Sequence, residues 1–177
     1  MSLLSPSSVN RELSVISHCI HIATDEWKCY VKENPVKKSL RLKENPKRIR
    51  RLEAGEYEKL MSSCKKNWVF WCPIIDFAIH TAMRRGELLK ATWDMVDLEK
   101  KYITLPQIIT KTNRVRNVPL QPKAIEILQK MPRSLNGKLF PIGLKNFERS
   151  WNSICRRASI KGLRFHDLKR EAISRLF

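Results

Sequence analysis

Apolar residues return every three or four positions from Val9 through Leu13, Ile16, Ile20 and Ala23 to Trp27. That period marks one face of an α-helix. With Ser5-Pro6 supplying a cap and a first-turn proline, it predicts a helix over 5–31, closed by Asn34-Pro35. The stripe needs a covering surface that a single helix cannot supply. From 28 to 52 no apolar period survives, and ten Lys or Arg stand against two Glu, with Pro35 and Pro46 interrupting. This stretch reads as a basic linker. The helical period resumes over 54–66, where Tyr57, Leu60, Met61 and Cys64 share a side, and an apolar helix is expected over 68–83. Pro73 is tolerable there in a first turn. Glu87 to Thr92 predicts a short helix. The pattern then turns β-rich, and Asp94–Asp97, Tyr102–Leu105 and Val115–Pro119 read as three strands joined in hairpins. Amphipathic helices follow over 122–131 and 144–158, and a last helix runs from Leu168. The fold class expected is therefore mainly α with a small three-stranded antiparallel sheet (α+β).

Composition narrows the function. The 177 residues carry a formal charge of +18, and 42% are hydrophobic. A real core is affordable at that content, and the charge excess points to a polyanionic partner. No apolar stretch approaches the roughly 20 residues of a membrane span, and no signal peptide is visible. The five cysteines are odd in number, scattered and without a CxxC pair. Reduced thiols in a cytoplasmic protein are expected. His18, Cys19 and His21 lie in a helical pattern with no second ligand pair, so no metal site is expected. RNA-binding signatures such as a GXXG loop are absent from the sequence.

Three separated segments converge on one chemistry. The first is Thr81-Ala82-Met83-Arg84-Arg85-Gly86-Glu87-Leu88. The second is Lys111 on a hairpin loop, followed by Arg114, Arg116 and Val118-Pro119-Leu120. The third is Phe165-His166-Asp167-Leu168-Lys169-Arg170. Fixed cations, a mobile ammonium and an imidazole suit phosphoryl transfer without a metal, since cations stabilise phosphate charge and Lys or His moves protons. At the first segment, Arg84 rather than Arg85 is the expected clamp.

In this order and at these separations the three segments resemble the arginine box, hairpin lysine and H-x-x-R box of the tyrosine recombinases of the phage-integrase family. Val9-Asn10-Arg11-Glu12-Leu13 and Glu33-Asn34-Pro35 are similar to the end of that family's helical core-binding domain. The resemblance implies the DNA breaking-rejoining fold, with a partial core-binding domain at 1–35, a basic linker at 36–51 and a catalytic domain at 52–177, incomplete at its C-terminus. It implies site-specific DNA recombination through a phosphotyrosine, double-stranded DNA as partner and no cofactor. The full-length parent is expected to oligomerise on DNA. Arg84 would hold the scissile phosphate, Glu87 would buttress it, Lys111 would be the general acid, and His166 would assist. Lys37, Lys38, Arg41, Lys47, Arg48, Arg50, Arg114 and Arg116 are the further expected DNA contacts.

The chain departs from the family pattern at three points. Ala82 stands where the family has glycine. Lys169 stands at the arginine of H-x-x-R, with Arg170 one residue off, a helical rotation of about 100 degrees. Lysine keeps the charge but loses the two-pronged fork. Finally, Tyr30, Tyr57 and Tyr102 all precede His166, whereas the family's nucleophile follows it. These 177 residues are therefore expected to be inactive alone, and a non-catalytic DNA-binding module derived from an integrase is the alternative.

Overall fold

A computed structural model describes residues 4–46, 48–64, 69–111 and 113–175. The chain divides into two compact units, Met1–Ile49 and Arg50–Phe177.

In the first unit, α1 spans Pro6–Asp25, with the Ser5 hydroxyl accepting from the Ser8 N–H at 3.2 Å. It ends six residues before the expected 31. The chain reverses through Lys28, whose φ is +55°, and the Cys29 N–H bonds the Ala23 carbonyl at 2.9 Å. Reversal lets Asn34 reach back, its amide donating to the Ser17 carbonyl at 3.2 Å and to the Ser17 hydroxyl at 3.1 Å. The expected linker also proves more structured than a tether. It contains a short 3-10 turn, Lys38–Leu40. Beyond that turn, the Asn10 amide pairs with both backbone groups of Leu42 at 2.8 Å, as a neighbouring strand would. Asn10 is buried, the one described residue of α1 that is. Ile16 and Trp27 of the apolar stripe remain half or more exposed.

In the second unit, α2 covers Glu56–Ser62 and α3 covers Trp71–Thr81. Helix α3 is the core element. Ile74, Ile75 and Phe77 are fully buried, and Pro73 lies in its first turn. Thr81 is its last helical residue because Ala82 takes the left-handed conformation, φ 51° and ψ 24°. A short helix, α4, runs over Arg85–Lys90. Strands β1 (Val96–Asp97), β2 (Tyr102–Leu105) and β3 (Arg116–Pro119) form one antiparallel sheet in that order. The pairings Ile103 to Val118 and Leu105 to Arg116 fix the register. Helix α5 spans Pro122–Lys130, α6 spans Leu144–Arg157 and α7 spans Asp167–Ser174. Helix α3 packs against α5 and α7. Phe165 stacks edge-to-face on both Phe147 and Trp151 of α6. The fold class matches the expectation. No described helix is long and apolar enough to cross a membrane.

Candidate functional site

The site is built around one buried carboxylate. Glu87 sits one turn into α4 and is 1% exposed. Its Oε2 accepts the backbone N–H of Arg84 at 2.9 Å, which caps the helix. Its Oε1 accepts the Arg84 guanidinium at 2.8 Å, and Oε2 also accepts the Arg116 guanidinium at 2.9 Å. Burial pushes the Glu87 carboxyl up, but the Arg84 N–H, the Arg84 guanidinium and Arg116 together hold it below its ordinary value. It is therefore ionised at neutral pH and fixes two guanidiniums side by side.

Lys169 completes the cluster. Burial lowers its ammonium from the ordinary value, and the neighbouring charges of Arg84 and Arg116 lower it further, against the opposing pull of Glu87. Two guanidiniums thus share one carboxylate, with the Lys169 ammonium within reach of their charge, a local excess of positive charge in a half-buried place. Arg170, one residue on, turns elsewhere and pairs with the buried Asp167 at 3.6 Å. Helical rotation accounts for the division between them. Asp167 in turn accepts the Arg164 N–H at 2.9 Å and so holds the turn that presents His166.

His166 is exposed at the start of α7. It lines a cleft of about 540 Å³ with Arg84, Arg164, Phe147, Trp151 and Asn152. Arg85 also borders this cleft, but it is engaged by Glu148 at 2.5 Å and lies over the Phe147 ring. Lys111 stands exposed on the loop joining β2 to β3, outside the Glu87 cluster. The base of that loop is clipped by buried Thr110, whose hydroxyl donates to the Arg114 carbonyl at 2.7 Å and accepts the Arg114 N–H at 3.1 Å.

The expected basic DNA contacts separate into groups. Lys37, Lys38 and Arg41 are exposed in the first unit, as is Arg48, and Lys37 pairs with Glu33 at 3.4 Å. Lys47 lies outside the described residues. Arg114 is exposed on the hairpin loop. Arg50 turns inward instead, with its side chain 17% exposed and bonded to Glu56 at 2.5 Å. Hydrogen bonding to Glu56 holds that guanidinium above its ordinary value. Arg116 is also an inward residue. Alternation along β3 puts it on the face of buried Val118, opposite exposed Asn117 and Pro119. The spacing of Arg116 two residues before Val118 was the sequence signal for this placement.

None of the three tyrosines belongs to the cluster. Tyr57 donates to Asp76 at 2.9 Å, and burial with that carboxylate pushes its hydroxyl up to about 12. Tyr30 is 91% exposed in the first unit, and Tyr102 lies on β2. Among the described residues no three His, Cys, Asp or Glu side chains converge as metal ligands.

Residues 50–177 match the model of the phage integrase family. The chain is 35% identical over 174 residues to a shufflon-specific DNA recombinase of Escherichia coli, covering 98% of this chain and 44% of that protein. It is 28% identical to the integrase of Salmonella phage P22, covering 89% and 43%. The chain thus spans about half the length of the curated relatives it matches. Among solved structures, the Tn1549 transposon integrase in complex with a circular intermediate DNA superposes with a TM-score of 0.74 at 16% identity, covering 98% of this chain and 67% of that one. A lambda integrase dimer bound to a COC′ core site gives 0.70 at 21% identity, covering 94% and 63%. With the family model covering most of the chain and the fold shared with these integrases, the chain belongs to the phage integrase family.

Proposed function

We propose that this chain forms the phosphate-gripping part of a site-specific DNA recombinase that acts on duplex DNA in the cytoplasm. The observation that carries this reading is the Glu87-centred cluster, in which Arg84 and Arg116 share one buried carboxylate beside Lys169. A phosphodiester is the natural occupant for a half-exposed cation excess with planar donors. Arg84 grips the scissile phosphate and His166 assists from the cleft wall. Lys111 reaches the leaving 5′-oxygen from its exposed loop as general acid. Charge on the transition-state phosphate is stabilised by donors already fixed in place. The attacking residue is none of Tyr30, Tyr57 and Tyr102, because none lies in the cluster. Exposed Lys37, Lys38, Arg41, Arg48 and Arg114 track the phosphate backbone. The parent protein assembles as an oligomer on DNA.

Equilibrium titration with a fluorescent duplex and with a matched RNA duplex, each at two salt concentrations, tests this reading. Tighter binding to DNA with a steep loss at the higher salt is expected. Equal or tighter binding to the RNA duplex would remove DNA as the intended partner.

A further inference from the structure

We infer that Arg116 is the second guanidinium of the phosphate clamp and does the work that the family's pattern gives to the arginine at position 169. The inference rests on the reading of the Glu87 cluster as a phosphate site. Two observations set Arg116 apart from the other basic residues. First, it is held by the same carboxylate as Arg84, on Oε2 where the Arg84 guanidinium takes Oε1. Each guanidinium gives the carboxylate one terminal nitrogen, at 2.8 and 2.9 Å, and the two side chains are 35% and 38% exposed. Both guanidiniums therefore keep part of their surface open to solvent. Second, the protein does not saturate this guanidinium. Its buried Nε has no hydrogen-bond partner, although buried polar groups are normally paired.

Neither neighbour can fill the same role. Lys169 feels the charge of both arginines but offers a compact ammonium without a planar fork. Arg170 has the fork but points it at Asp167. Arg116 reaches the cluster from β3, pinned by its register opposite Leu105, so its approach does not depend on α7. A lysine at 169 is tolerable when the strand supplies the missing fork.

The test uses the 177-residue chain and inorganic phosphate at constant ionic strength, read by the arginine Nε–H resonances, with thermal melts as the control for folding. Arg84→Ala and Arg116→Lys are each expected to weaken phosphate binding about tenfold or more, the usual size of a lost charge-assisted donor pair. Arg116→Lys keeps the charge beside Glu87 and removes only the fork. Adding Lys169→Arg to Arg116→Lys is expected to restore affinity to within about threefold, because the fork returns from the neighbouring position. A residue that only braces Glu87 would not be rescued in this way. Loss with Arg84→Ala but not with Arg116→Lys, or no rescue by Lys169→Arg, would overturn this inference alone. No loss with Arg84→Ala would overturn the phosphate site itself.

Discussion

Glu87 carries more of the site than any other single residue. One side chain caps α4, neutralises part of two guanidiniums and sets their spacing. Removing its charge leaves Arg84 and Arg116 to repel each other. Glu87→Gln is expected to cost about 1–3 kcal/mol, below the range for fully buried pairs because both arginines are partly solvated. Urea unfolding of the two proteins measures this. The sign of the pH effect follows from the direction of the shift. Glu87 titrates lower when folded than when unfolded, so its stabilisation is full above the unfolded value of about 4.3 and is lost as pH falls below it. The acid limb of the stability curve is expected to flatten in Glu87→Gln. At this scale the sequence singled out Arg84 and His166 from two separated boxes, and the fold brings both to the wall of one cleft. The sequence placed Arg50 and Arg116 among general DNA contacts because charge alone does not say which way a side chain faces. The alternation on β3 shows it for Arg116, and the Arg50–Glu56 pair becomes visible only when the turn before α2 is seen.

At the scale of elements, the junction between α3 and α4 is the hinge of the site, and it carries strain. Ala82 holds the left-handed conformation that glycine adopts freely, at a cost of about 1–2 kcal/mol for an L-residue. Ala82→Gly is expected to raise stability by about 0.5–1 kcal/mol after the entropy of a more flexible unfolded chain is included. A higher melting temperature by calorimetry would show it. The strand and helix order from 54 to 174 was readable because apolar periods switch cleanly between helix and sheet. Element ends were less readable. Trp27 continues the helical apolar period, yet the chain turns at Lys28 and Asn34 bonds back to Ser17. Likewise, the basic run to 46 shows no apolar period, because polar side-chain amides rather than packing hold it to α1. Asn10→Ala is expected to leave the second unit unchanged. Hydrogen exchange at the Leu42 amide should accelerate by about fivefold, the equivalent of one lost bond near 1 kcal/mol.

For the whole molecule, the proposed function has the formal charge of +18 set the affinity for DNA and the Glu87 cluster set where one phosphate sits. These contributions separate by their salt dependence. Each phosphate contact adds close to one unit to the slope of log affinity against log salt. The most direct test is that slope, measured with duplex DNA for the wild-type chain and for Arg84→Ala, with both shown to be folded. A steep slope is expected for the wild type and one lower by about one unit for Arg84→Ala, with weaker binding at every salt concentration. Identical slopes and affinities for the two proteins would mean that DNA never reaches the cluster, and would rule out the Glu87 cluster as a phosphate site.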